Sequence, residues 1–346
     1  MRIYKDQFDV SAIICTHNRC GVLPNALESI LNQETRGVRY ESIVVDNNST
    51  DQTRQIVESF IARGQGNMRY VFEGKEGLSH ARNTGIAQAL APLIAFFDDD
   101  ERVAADWVAT IKQSLDEHAE VDFVGGKILP RWETAPPAWL ASQLHWAPVG
   151  LTDYGDTPFY SNTENPVCLI GGNLGIRRAA FDLIGLFDPK LQRMKGNIGS
   201  EDHELLLRLW RAGRQGMYVP NLVVEADVPI ERMQKAYHRM WHTGHGQACA
   251  LMQLNELIDW NGRLLQTPIE SEKFFGVPTF VYLELVKTGV DWFKVALKGN
   301  KVHAFTKENR VRHLVSYIRA SHQHNHNRQP LFAEISALLK VWRRRK

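Results

Sequence analysis

The chain has few cysteines, almost no net charge and no long apolar run, and each absence excludes a class of protein. Its four cysteines, Cys15, Cys20, Cys168 and Cys249, form no CxxC pair and no disulfide framework, which points to a reducing compartment. Lys and Arg number 41 against 39 Asp and Glu, so no bulk attraction to nucleic acid is expected. No uncharged stretch is long enough to span a bilayer. Residues 1–6 lack the apolar segment of a signal peptide. No GxGxxG follows a predicted strand, which counts against a dinucleotide oxidoreductase, and no Gly-rich loop ending in Gly-Lys-Ser or Gly-Lys-Thr marks a P-loop.

What is present is an alternation of strands and helices. The apolar runs Val10-Ser11-Ala12-Ile13-Ile14-Cys15, Ser42-Ile43-Val44-Val45, residues 68–72, Leu93-Ile94-Ala95-Phe96-Phe97 and Val121-Asp122-Phe123-Val124 predict five strands. Helical stripes lie between them: Leu23, Leu27, Ile30 and Leu31 with Pro24 in the first turn, then Ile56, Val57, Phe60 and Ile61, then 79–90 and 107–115. Repeated strand–helix units with short connections predict an α/β fold with a doubly wound, mostly parallel sheet. Regularity stops after Lys127, and residues 131–166 hold five prolines and three tryptophans, which reads as an irregular loop or acceptor subdomain. It returns at Val167-Cys168-Leu169-Ile170, and a helix follows over 202–212 with Gly213 as its stop. The expected division is a catalytic domain over 1–228 and a helical, basic extension over 229–346.

Three polar turns close predicted strands: Thr16-His17-Asn18-Arg19, Asp46 to Asp51, and Asp98-Asp99-Asp100-Glu101. Acidic runs are commonly solvated turns. Here the apolar run before Asp98 is a strand buried on both faces, and ligands bind at the carboxyl ends of such strands. Crowded carboxylates repel unless a cation joins them, and hard oxygen ligands suit Mg²⁺ or Mn²⁺. Asp46 can accept from a base N–H or a ribose hydroxyl, and Arg19 and Arg82 can neutralise a diphosphate. A second acidic pair, Glu201-Asp202, opens the later helix.

These stretches, with Gly77 to Gly85, Gly172-Asn173, Arg177-Arg178, Gly185-Leu186-Phe187-Asp188 and Glu201-Asp202 leading to Arg208, resemble family 2 glycosyltransferases of the GT-A fold over about the first 230 residues. The resemblance implies a nucleotide site at Cys15, Thr16, His17, Arg19, Asp46 and Asn48, with Cys15 acting through its backbone. It adds Arg82 near the diphosphate, and Asp99 or Asp98 near the ribose within the nucleotide site. Asp98-Asp99-Asp100 matches the DXD motif, with Asp100 on the metal, and Asp202 matches the catalytic base. One displacement with one base would invert the anomeric centre. Relatives often carry a His just before the Val-Pro pair matched by Val228-Pro229; here Asp227 stands nearby as an alternative oxygen ligand or as a surface carboxylate. The expected activity is metal-dependent (Mn²⁺ or Mg²⁺), inverting transfer of a sugar from a nucleotide diphosphate, UDP favoured, to a hydroxyl acceptor, on a sugar or a lipid-linked glycan. The rival readings are a nucleotidyltransferase and a non-catalytic nucleotide-sugar-binding protein.

The acceptor side is expected at Glu201, at Trp139 and Trp146 in the irregular segment, and at His238 and Trp241 farther on, because aromatic rings stack on sugar faces. His238, His242 and His245 can share one helix face. A zinc site needs a fourth ligand or water that nothing nearby declares, so an acceptor-contacting or amphipathic helix is the preferred reading. His322, His324 and His326 read as a solvated loop. Residues 274–297 form a helical pattern broken by charges, either packed on the catalytic domain or lying at a membrane interface beside the Arg343-Arg344-Arg345-Lys346 tail. The expected location is the cytoplasm, with peripheral contact at the inner face of the membrane as the alternative.

Overall fold

The computed structural model describes residues 7–64, 66–191, 199–258, 262–265 and 268–326. The N-terminal segment 1–6 and the basic tail 343–346 therefore lie outside the described residues. The chain forms two compact units, one ending at Met233 and including 262–264, the other formed by 234–261 and the residues from 265 on.

In the first unit the chain runs β1 (Val10–Thr16), α1 (Leu23–Leu31), β2 (Tyr40–Asp46), α2 (Thr53–Ala62), β3 (Met68–Phe72), α3 (Leu78–Gln88) and β4 (Leu93–Asp98). It continues through β5 (Glu101–Val103), α4 (Trp107–Glu117), β6 (Phe123–Trp132), β7 (Phe159–Ser161), β8 (Asn173–Arg177), α5 (Arg178–Ile184), α6 (Glu201–Arg211) and β9 (Gly216–Val228). The sheet order is β3-β2-β1-β4-β8-β6-β9-β5, with β7 also on β9. β3, β2, β1 and β4 are parallel, and so are β6 and β9. The β-branched runs of β1 and β2 are buried on both faces, as helix-covered parallel strands must be. Val10, Ala12 and Ile14 enter one core with Leu23, Leu27 and Ile30 of α1, and each large aliphatic side chain buried there stabilises the fold by about 1.5–3 kcal/mol. On the opposite face α3 lies so close that a Cβ at Gly85 would stand 2.6 Å from Ile13 Cγ2.

Three expectations need correction. The strand expected over 121–124 begins at Phe123 and runs on past Lys127 to Trp132 as β6. Past Lys127 it is buried on alternate residues at best, so the apolar signal fades while pairing with β9 continues. Within 131–166 the structure has short ordered pieces, two single 3₁₀ turns at Gln143–His145 and Ala147–Val149 and the strand β7. Val167 to Ile170 carry no strand; the next is β8, which enters antiparallel between β4 and β6.

The second unit holds α7 (Lys235–Leu251), α8 (Leu254–Leu257), a two-stranded ribbon of β10 (Lys273–Phe274) and β11 (Val277–Pro278), α9 (Thr279–Leu297) and α10 (Lys301–His326). Arg239 of α7 pairs with Glu308 of α10 at 2.7 Å, and Arg310 of α10 with Glu284 of α9 at 2.6 Å. His322 belongs to α10 rather than to a solvated loop, and its Nε2 meets the Tyr282 hydroxyl at 2.7 Å. His324 and His326 lie on the same helix.

Asn173 opens β8 and locks the sheet at its centre. Its Oδ1 accepts from Trp107 Nε1 at 2.8 Å, and its amide donates to Lys127 O and Leu222 O, both at 2.9 Å. All three partners lose a bond in Asn173→Ala. At about 1–3 kcal/mol for each group left unsatisfied and buried, the expected loss is about 3 kcal/mol, read as a lower urea midpoint of the tertiary fluorescence transition. An unchanged midpoint would show that water replaces the amide without cost.

Candidate active site

Register brings the polar turns together. Thr16 sits opposite Asp46, and Cys15 opposite Asp98, at the aligned carboxyl ends of β1, β2 and β4. The turns after β1 and β2 are stitched to each other. Asn18 donates its backbone N–H to Ser49 Oγ at 2.9 Å, and its Oδ1 accepts from Thr50 N at 2.7 Å. Asp51 Oδ2 accepts from Cys20 N at 3.0 Å. Asn18 and Asn48 take φ of 51° and 61°, left-handed values that Asn tolerates better than most residues. His17 meets Asn47 O through Nδ1 at 2.6 Å. Burial pushes the Cys15 thiol up to about 12, leaving it an inert neighbour of the site.

Asp46 is buried and already committed on both oxygens, to Ser49 N at 2.9 Å and to the Tyr70 hydroxyl at 2.8 Å. Asn47 beside it carries no expected role. It donates to Lys75 O at 2.6 Å and accepts from Gly77 N at 2.7 Å, fixing the approach to α3. A cavity of ≈ 330 Å³ lined by Glu41, Met68, Arg69 and Leu90 lies at the amino ends of these strands, away from the carboxylates.

The turn after β4 is closed by Glu101, whose Oε2 accepts from Asp98 N at 2.7 Å. Asp99, Asp100 and Glu101 are all buried. Arg19 reaches Asp99 at 3.2 Å and Asp100 at 2.8 Å, and Arg232 reaches Asp100 at 3.3 Å. Burial would raise Asp100, but the two guanidinium groups more than offset it and hold the carboxyl below its usual range. Asp99 has less help, and burial pushes it up to about 7. Burial, with Asp98 alongside, raises Glu101 well above the ordinary value.

Arg82 of α3 joins this turn to the start of α6. Its guanidinium is buried, 3.6 Å from Asp98 Oδ1 and 3.0 Å from Glu201 Oε1. Two glycines let the chain pass. A Cβ at Gly171 would lie 2.9 Å from Arg82 Nη2, and one at Gly172 would lie 2.5 Å from Glu101 Oε1. Asp202 is held at the first turn of α6 by backbone groups, Oδ2 accepting from Gly171 N at 3.2 Å and Oδ1 from His203 N at 2.8 Å.

Glu201, expected on the acceptor side, is instead buried against Arg82, and burial pushes it up to about 7. Asp227 lies close to the site, its N–H donating to Asp100 O at 2.9 Å. Its carboxylate, however, pairs with Arg102 and, at 3.4 Å, with Arg131, contacts that a metal would have to displace. Trp139 and Trp146 are half-buried and pack against the core of the first unit. His238 is buried, with its ring 6.4 Å from that of Phe305, and Trp241 stacks on His245. His238 therefore offers no open ring face, and Trp241 has one face taken by His245.

Arg232 is the functional candidate that sequence reasoning missed. It follows the Val228-Pro229 pair, where only a metal ligand was sought, and pairing of Glu101 with Ala226 carries this segment beside Asp100. Around Arg19, Arg82 and Arg232 stand Asp98, Asp99, Asp100, Glu101, Glu201 and Asp202, so carboxylates outnumber guanidinium groups. Burial is the main cause of the raised carboxyls here, with neighbouring carboxylates adding to it, and an all-oxygen donor set suits Mg²⁺ or Mn²⁺.

The family model "Glycosyl transferase family 2" matches residues 11–185. The glucosyl-dolichyl phosphate glucuronosyltransferase of Haloferax volcanii is 25% identical over 197 residues, 56% of this chain and 60% of that protein. The GalNAc(5)-diNAcBac-PP-undecaprenol beta-1,3-glucosyltransferase of Campylobacter jejuni is 31% identical over 110 residues, 31% of this chain and 35% of that protein. The chain thus spans less than two thirds of the length of these curated relatives. Among solved structures, the mannosyltransferase PcManGT of Pyrobaculum calidifontis with GDP-Man and Mn²⁺ is similar with a TM-score of 0.58 at 17% identity, covering 92% of this chain and 88% of that one. GalNAc-T7 with UDP, GalNAc and Mn²⁺ has a TM-score of 0.51 at 19% identity, covering 74% of this chain and 52% of that one. At these identities the likeness establishes the fold, which is GT-A.

The burial of Glu201 makes a pH prediction. Its folded value of about 7 lies above the unfolded value of about 4.3. The native chain therefore holds an extra proton between them, and the stability this group contributes is full below the unfolded value and falls as pH rises toward 7. Glu201→Gln mimics the protonated acid and removes the dependence. Its melting temperature should fall less than the parent's between pH 5 and pH 7.5. Parallel profiles would contradict the assignment.

Proposed function

Because the chain belongs to glycosyl transferase family 2, we propose that it is an inverting, metal-dependent enzyme moving a sugar from a UDP-sugar to a hydroxyl of a lipid-linked glycan. The observation that carries this reading is the Arg82 bridge, which ties the Asp98 turn to Glu201 and so holds Asp202 in the same site as the DXD carboxylates.

Each group then has a task. Asp46, with both oxygens partly used, suits one further donor such as the single imide N–H of uracil better than the paired donors of guanine. Arg19 and Arg232, which balance Asp99 and Asp100, are the cations available to a diphosphate. A divalent metal held by Asp100 would stabilise charge on the departing nucleoside diphosphate. Asp202, fixed by two backbone N–H groups, takes the acceptor proton as the acceptor oxygen attacks the anomeric carbon. A single displacement of this kind yields the opposite anomer. The relatives named for dolichyl phosphate and undecaprenol substrates support a lipid-linked acceptor. The half-buried Trp139 and Trp146 remain candidates for its sugar face.

Two variants separate the roles. Asp100→Ala should abolish the Mn²⁺-dependent part of UDP affinity in titration calorimetry. Asp202→Asn should leave that affinity intact and lower turnover by about a hundredfold or more. Mn²⁺-dependent binding at parental strength in the first variant, parental turnover in the second, or a product of retained anomeric configuration by NMR would each refute the reading. GDP-mannose raising the melting temperature more than UDP-sugars would reassign the base.

A lipid-linked acceptor calls for a membrane-facing surface, and α9 supplies a suitable one. Among the described helices none is long and apolar enough to cross a membrane. Yet Leu283, Val286, Val290, Phe293 and Leu297 form one stripe along α9, 70%, 66%, 48%, 66% and 73% exposed. Exposed Lys287 and Lys294, with Lys298 at its C-cap, flank one side of it. Apolar residues with lysines beside them suit an anionic lipid surface. The protein should sediment with phosphatidylglycerol vesicles, more weakly at high salt. Val286→Glu with Phe293→Glu should release it without changing UDP affinity. Failure of the parent to bind vesicles, or a dimer that the same pair of changes dissolves, would overturn the lipid assignment.

A further inference from the structure

The pairing of α7 with α10 assembles a group that sugar transfer does not use. His245 and Cys249 are four residues apart on α7 and therefore share a face. His313 of α10 stands opposite them. The helices can approach here because residue 246 is glycine: a Cβ there would lie 2.3 Å from His313 O. One ligand atom from each of His245, Cys249 and His313 falls within 4.8 Å of the others. Cys249 Sγ is 3.7 Å from His245 Nε2, against about 3.6 Å for a sulfur and a nitrogen on one tetrahedral zinc. We propose that His245, Cys249 and His313 bind Zn²⁺, clipping α7 to α10.

The trio differs from His238, His242 and His245, the set that spacing along one helix lines up. His238 turns toward Phe305 instead, and the second and third ligands come from Cys249 and from another helix. A thiol–imidazole hydrogen bond would account for the 3.7 Å contact alone. It does not account for a second imidazole on the same side, its ring centroid 5.2 Å from that of His245. The donors are right for zinc, which takes thiolate and neutral imidazole, whereas Mn²⁺ and Mg²⁺ prefer oxygen. On binding, the Cys249 proton leaves to solvent as the sulfur–metal bond forms. Arg310, one turn from His313, would oppose a cation, but its charge is met by Glu284 at 2.6 Å. Of the three ligands, Cys249 and His313 are buried and His245 is partly exposed, which leaves water a route to the fourth position. Trp241 stacks on the His245 ring at 4.6 Å and fixes its plane.

Co²⁺ reports such a site directly. The whole 346-residue chain, stripped of metal and titrated with Co²⁺, should develop the intense visible bands of tetrahedral cobalt and a thiolate-to-cobalt charge-transfer band, both erased by Zn²⁺. Zn²⁺ alone should raise the melting temperature in proportion to the logarithm of its concentration. Cys249→Ser should lose the charge-transfer band, and His313→Gln the tetrahedral bands. Asp100→Ala, altered at the carboxylate site, should keep both. The proposal is overturned if the parent gives no charge-transfer band, or if the band survives Cys249→Ser or disappears with Asp100→Ala. The parent titration alone decides the matter if a variant fails to fold, and none of these readouts depends on transferase activity.

Discussion

A guanidinium that is only 4% exposed must have its charge met inside the protein, and the way Arg82 is met organises the catalytic unit. It comes from α3, whose close packing on β1 is enforced by Gly85. It reaches Asp98 at the end of β4 and Glu201 at the start of α6, two segments separated by about a hundred residues of sequence. Removing one partner from a buried ion pair costs about 3–5 kcal/mol, because the other charge is left stranded. The bridge therefore ties the turn after β4 to the start of α6 more firmly than either loop could alone.

Burial strains the site. Asp99, Glu101 and Glu201 are all buried, and burial above all pushes each toward its protonated form. Such a cluster persists only where the surrounding fold over-determines it. Here the determinants are Glu101 closing its own turn, Gly171 and Gly172 leaving room for the Arg82 and Glu101 side chains, and Arg19 with Arg232 holding Asp100.

The second unit follows a different logic. Its helices are joined by ion pairs across α7, α9 and α10, and at one point by a close approach that gathers sulfur and imidazole. Where the catalytic unit concentrates oxygen, this unit concentrates softer donors, so the two could hold different metals without competing.

Much of this was legible in the chain itself. The apolar runs of β1, β2 and β4 declared a buried parallel sheet, and turn residues placed directly after them declared its working edge. Thr16, Asp46, Asp98 and Asp100 could be named as candidates because strand ends converge whatever the details of packing. The sequence could not reveal which carboxylates are spent on arginines. Asp227 and Glu201 read as a ligand and an acceptor contact, and their pairing with Arg102, Arg131 and Arg82 is seen only in the folded chain. Arg232 and the antiparallel insertion of β8 were equally hidden, because both depend on strand pairing across long separations. So was the His245, Cys249 and His313 trio, since helix periodicity aligns residues on one helix and says nothing of what a second helix brings to them. Local pattern fixes which elements form and which ends they expose; partner choice among charged side chains is decided by distances that exist only after the chain has folded.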